Sequence, residues 1–107
     1  MSLHVEVMGR GEDLVLLHGW AMHGGIWRGV AERLAERFCV HLVDLPGHGF
    51  SASVEPFSLQ AIAARVAAEF PHPVHLLGWS LGGAVAMRWA LDQPYRVRKL
   101  VLVASSP

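Results

Sequence analysis

The sequence has one cysteine, Cys39, so no disulfide can form within the chain. Cys39 opens a short apolar segment, where a buried, inert thiol is expected. No apolar run approaches the roughly 18 residues of a membrane span. The first residues alternate in polarity instead of forming an unbroken apolar stretch, which argues against a signal peptide. Charge is sparse and balanced, with nine Lys and Arg against nine Asp and Glu. That excludes the basic footprint of a nucleic-acid binder and any attraction to an acidic membrane surface. The seven histidines show neither an HExxH pair nor a close i, i+4 pair, so no metal site is expected. There is no internal repeat and no low-complexity linker. These absences leave a cytoplasmic protein as the default. What the sequence does contain is a 52% hydrophobic composition over 107 residues, enough to build the core of one domain.

The apolar pattern divides the chain into alternating elements. Leu3, Val5 and Val7 alternate with His4 and Glu6, the mark of a half-exposed strand. Leu14 to Leu17 is a short continuous run, as in a strand covered on both faces. Ile26, Val30, Leu34 and Phe38 recur every four residues and predict an amphipathic helix from Gly25 to Phe38. Val40 to Val43 reads as a strand stopped by Asp44-Leu45-Pro46-Gly47. Leu59, Ile62, Val66 and Phe70 share a face of a second helix, with Ser58 placed to cap it. Val74 to Leu77 is a further strand. A helix-like run from Ala84 to Leu91 follows, and Leu100 to Val103 forms the last strand. Trp27 and Trp89 fall within helices and are expected to pack. Strands alternating with helices predict an α/β fold, an open and mostly parallel sheet with helices on both faces. Ligands bind beyond the carboxyl ends of such strands. His18-Gly19-Trp20, Asp44 to Gly49 and Ser80 all fall at those ends.

The densest signal is Gly78-Trp79-Ser80-Leu81-Gly82-Gly83, entered from an apolar run and left into a helix. Gly-x-Ser-x-Gly between strand and helix describes a sharp turn that presents the serine hydroxyl clear of the sheet. The glycines leave room for that turn, and the next helix aims its N-terminus at the same place. Ser80 is therefore the candidate nucleophile. Leu81 opens the helix, so its N–H has no carbonyl one turn earlier to bond. Trp20 follows the strand ending at His18, on a loop beside Ser80. Trp20 and Trp79 flank the site. Trp79 has two readings, a wall of an acyl pocket and a core side chain. His18 reads as a structural residue holding its loop by side-chain hydrogen bonds, in preference to a general base at His18, His23 or His48. Asp44, followed by Leu45-Pro46-Gly47, reads as a turn-fixing carboxylate that bonds backbone N–H groups.

Taken in order, His18-Gly19-Trp20, Asp44 to Gly49, Gly78 to Gly83 and Arg96 to Val103 resemble the α/β-hydrolase family. The finer pattern, including Val103-Ala104-Ser105-Ser106-Pro107, resembles its carboxylesterases. The resemblance implies that Ser80 attacks an ester carbonyl and that the N–H groups of Leu81 and Trp20 hold the oxyanion. It implies no cofactor. It also implies a small acyl ester as substrate, presented on an acyl carrier protein. The family needs an acid and then a histidine after its serine. Here Asp92 is the only acid after Ser80, and no histidine follows it. Residues 1–107 are therefore expected to be the N-terminal part of one such domain, with the lid and the rest of the triad elsewhere. Thioesterase, acyltransferase, C–C hydrolase and haloperoxidase chemistry, or an inactive truncated domain, remain open alternatives.

Overall fold

A computed structural model describes residues 2–104; the Ser105-Ser106-Pro107 end of the last motif lies outside them. Five strands form one sheet. They are β1 (Val5–Met8), β2 (Glu12–Leu17), β3 (Phe38–Val43), β4 (Val74–Trp79) and β5 (Val97–Val103). The spatial order is β1-β3-β2-β4-β5. β1 runs antiparallel to β3, and every other pairing is parallel. Three helices make the crossovers, α1 (Arg28–Leu34), α2 (Leu59–Ala68) and α3 (Leu81–Asp92). They lie on both faces, as expected for parallel strands that need cover on each side.

The two faces carry separate apolar clusters. Val15, Leu17, Val43 and Leu76 point to α2 and α3, meeting Ile62, Val66, Val85 and Trp89. Leu14, Leu16, Val40 and Leu42 point to α1. Strand alternation sorts these residues, because neighbours along a strand face opposite sides. Trp89 is fully buried and stacks on Phe70, with ring centroids 5.9 Å apart. Trp27 packs against the α1-side cluster. Both expectations of packing are met. Ser58 caps α2 as predicted, its Oγ accepting the Ala61 N–H at 3.2 Å.

Three boundaries differ from the sequence reading. The segment after Gly24 is a short 3-10 turn (Gly24–Trp27) followed by α1, and Phe38 already belongs to β3. Ile26 and Val30, half of the four-residue stripe, are exposed. The buried stripe is instead Trp27, Ala31, Leu34 and Ala35. Ala31 lets the helix approach the sheet closely, and a periodicity count gives alanine too little weight. β5 begins at Val97, three residues before Leu100. α3 begins at Leu81, three residues before Ala84, so the glycines of the turn are the first residues of the helix. Cys39 is half-buried, at variance with the buried thiol expected. Burial and the neighbouring Asp13 carboxylate still push its thiol above the ordinary value.

Candidate active site

The end of β4 turns into α3 within one residue. Ser80 has φ 56° and ψ −114° and is the N-cap of α3. That is a left-handed conformation, costly for a side chain with a Cβ and kept only where the surroundings hold it. The restraints are visible. The Ser80 N–H donates to the Val103 carbonyl at 3.1 Å, carrying the β4–β5 ladder into the turn. The Ser80 carbonyl accepts from the N–H groups of Gly83 (2.9 Å) and Ala84 (3.1 Å), starting the helix. Ser80 is exposed, while Gly82 and Gly83 are buried.

Two glycines are required by contact. A Cβ on Gly82 would collide with the carbonyl groups of Leu17 and His18. A Cβ on Gly78 would collide with the backbone of Gly82 and Gly83. The first turn of α3 thus sits directly on the end of β2. Gly19 is close as well: a Cβ there would stand 3.6 Å from the Cβ of Ser80 and 3.3 Å from the Trp79 ring. Trp79 is half-buried with its ring against Gly19, so it braces the loop that follows β2.

That loop is fixed by two buried polar side chains. His18 is fully buried. Its Nε2 accepts the Leu45 N–H at 2.9 Å, and its Nδ1–H donates to the Gly19 carbonyl at 2.7 Å. Burial, the dominant cause, holds its pKa below the ordinary value and keeps it neutral. With both ring nitrogens engaged, His18 is a positioning residue, as the sequence suggested. Asp44 is also buried; its Oδ1 accepts the Gly24 N–H at 2.7 Å and its Oδ2 the Phe50 N–H at 3.0 Å. It fixes the turn as expected, and it also reaches back to the β2 loop. His23 accepts the Gly25 N–H at 3.0 Å and caps the 3-10 turn. His48 is buried, with Nδ1 3.1 Å from the Pro46 carbonyl. Trp20 rests edge-on against His48 and Phe57, with centroids 5.1 and 6.0 Å away.

The loops after β2 and β3 and the β4–α3 turn therefore meet at one edge of the sheet. Leu81 is the first residue of α3, where a backbone N–H has no intrahelical acceptor. One grouping escaped the sequence reading. Asp13, Cys39 and His41 converge at the other end of the sheet. Spacing of two between Cys39 and His41 on a strand was the available signal, since it puts both on one face.

A turn with this backbone between a parallel strand and a helix is the nucleophile elbow of one large class. The chain belongs to the alpha/beta hydrolase family, which it matches over residues 14–107. Among curated proteins it is 55% identical over 107 residues to the pimeloyl-[acyl-carrier protein] methyl ester esterase of Chromobacterium violaceum. It is 54% identical over 106 residues to the protein of that name from Nitrosomonas europaea. The alignments take in 100% and 99% of this chain but 42% of each relative, so the chain spans well under half their length. Among solved structures it resembles a marine microorganism esterase, with TM-score 0.90 and 30% identity over 94% of this chain and 40% of that one. It also resembles Est816, described as an N-acyl homoserine lactone degrading enzyme. There the TM-score is 0.88 and the identity 30%, over 96% of this chain and 42% of that one.

Proposed function

We propose that this chain is the nucleophile-bearing part of a serine carboxylesterase of biotin synthesis. Its substrate is the methyl ester of a pimeloyl chain carried on an acyl carrier protein. The observation that carries the reading is the backbone of Ser80, held at positive φ between β4 and α3. The substrate comes from the printed names of relatives at 54–55% identity. A histidine base and an acid are assigned to the part of those relatives that this chain does not span.

Ser80 Oγ attacks the ester carbonyl carbon, and its proton passes to the histidine. The carbonyl oxygen becomes an oxyanion. The N–H groups of Leu81 and Trp20 receive it, where preformed donors in a water-poor site stabilise developing charge. Collapse expels methanol, which takes the proton back from the imidazolium. Water, activated by the same base, then cleaves the acyl-enzyme and releases the carboxylate. Trp20 and Trp79 line the acyl side of the site. No cofactor enters these steps. The proposed setting is a single domain acting in the cytoplasm. No helix among the described residues is long and apolar enough to cross a membrane.

The test, in protein that includes the base and the acid, is hydrolysis of carrier-bound pimeloyl methyl ester beside a thioester and an acyl homoserine lactone, for the unsubstituted protein and Ser80→Ala. Preference for the methyl ester, lost in Ser80→Ala, is expected. Methyl ester cleavage that survives Ser80→Ala overturns the nucleophile. A second reading is degradation of an acyl homoserine lactone, as the likeness to Est816 suggests, and preference for the lactone favours it.

A further inference from the structure

At the end of the sheet away from Ser80, three metal-ligating side chains share one face. Asp13 on β2 is the register partner of Cys39 on β3, and Val15 is that of His41. Residues 13, 15, 39 and 41 therefore all face α2 and α3. The donor atoms of Asp13, Cys39 and His41 lie within 4.8 Å of one another. His41 Nε2 is 2.8 Å from Asp13 Oδ1 and 3.6 Å from Cys39 Sγ.

A second nucleophilic site is the first alternative, since Cys, His and Asp are its ingredients. The geometry rejects it. Thiol and carboxylate both address Nε2, whereas a relay needs one on each ring nitrogen. Nδ1 is buried without a hydrogen-bond partner. The ring is held by packing instead, edge-on to Phe70 at 5.0 Å. Convergence of three different donor atoms on one point is the arrangement of a chelate.

We propose that Asp13, Cys39 and His41 form a three-ligand site for a divalent cation of the zinc class. Mixed thiolate, imidazole and carboxylate donors suit zinc and disfavour magnesium or calcium, which take oxygen ligands. With zinc–ligand bonds of about 2.0–2.3 Å, tetrahedral ligands stand roughly 3.3–3.6 Å apart. The Cys39–His41 separation already fits. Asp13 must withdraw by about half an ångström from its hydrogen-bonded position, and its side chain is 38% exposed and free to do so. The fourth position opens on a cavity of about 320 Å³ whose walls include Asp13, His41, Glu69 and His72. That cavity admits the ion and a water. The thiol, held protonated by burial and Asp13, gives up its proton when the ion binds. The bound ion ties the start of β2 to β3, away from the ester site, so its signature is binding and stability.

The experiment titrates metal-stripped protein with Co²⁺, a spectroscopic stand-in, then displaces it with Zn²⁺. One equivalent with a thiolate-to-cobalt charge-transfer band, bleached by Zn²⁺, is expected. Cys39→Ser should abolish the band. Asp13→Asn and His41→Gln should weaken binding at least about tenfold, since losing even an outer-shell partner costs 10–100-fold. His75→Gln, on the opposite sheet face, should bind as the parent does. A variant-free arm follows alkylation of Cys39, which Zn²⁺ should slow. A band that survives Cys39→Ser overturns the site. So does equal affinity across the ligand variants, or alkylation indifferent to excess Zn²⁺.

Discussion

β4 and β5 are adjacent parallel strands of similar apolar composition, yet they live in different environments. β4 alternates buried and half-buried residues between α1 on one side and α2 and α3 on the other. β5 is exposed from Arg98 to Val103, although Leu100 to Val103 are all apolar. Leu76 and Leu100 are register partners; one is fully buried and the other 37% exposed. Sequence composition sets what a strand can bury, and its neighbours decide what it does bury. The same contrast separates the two ends of the elbow. Its β2 side is locked by backbone contact at Gly82, and its β5 side rests on a ladder bond from Ser80 to the strand that ends the sheet among the described residues.

The largest test of that contrast is chemical. With base and acid in place, Ser80→Ala should cut turnover by at least about a thousandfold, because the covalent route is gone. Steady-state hydrolysis of a methyl ester measures it. A smaller loss would mean that the locked end of the elbow does not carry the nucleophile.

Gly82→Val comes next. Its side chain would be driven into the Leu17 and His18 carbonyl groups, which are backbone and cannot swing away. Overpacking ordinarily costs about 1–3 kcal/mol, and a clash with backbone falls at or beyond the top of that range. Urea unfolding checks it, and unchanged stability would contradict the close contact between α3 and β2.

Leu76→Ala against Leu100→Ala sharpens the comparison in the 107-residue chain. The buried leucine should cost about 2–5 kcal/mol. Its exposed partner should cost near or below about 0.5 kcal/mol. Equal costs would show that something in solution covers β5. Self-association is the first candidate, because an apolar unpaired edge templates strand addition.

The smallest effect is a pH dependence. Burial holds the His18 pKa below the ordinary imidazole value of 6.5, so the folded state resists protonation that the unfolded state accepts. Its contribution is complete above about pH 6.5 and is lost as pH falls below that value. Melting temperature should drop on acidification, and His18→Gln should flatten that part of the slope. An unaltered slope in the variant would assign the titration to another group.

Much of this was legible in the sequence because the signals were local. Gly78 to Gly82 specifies a turn by steric need, and the motif falls where strand and helix meet. The buried strands announced themselves as continuous apolar runs. The roles of His18 and Asp44 as loop-fixing residues could be read from their place beside turn residues. What stayed hidden depended on partners distant in sequence. The face of α1 turns on Ala31, whose value lies in allowing close approach. The exposure of β5 depends on which neighbours it has. The Asp13–Cys39–His41 grouping needs the β2–β3 register, which no spacing in the sequence reveals.

The pinned loops also have an evolutionary consequence. Trp20, Phe50 and Phe57 stand 63%, 83% and 46% exposed around the edge, on loop backbone anchored by His18 and Asp44. The anchors satisfy the polar demands of the backbone, so the rim side chains are left with none of that burden. Rim residues can then be exchanged by single substitutions without unsettling the loop backbone beside Ser80. Selection can retune the rim while the turn that holds Ser80 is inherited intact. Structural neighbours described as an esterase and as an N-acyl homoserine lactone degrading enzyme are what such a separation would leave behind.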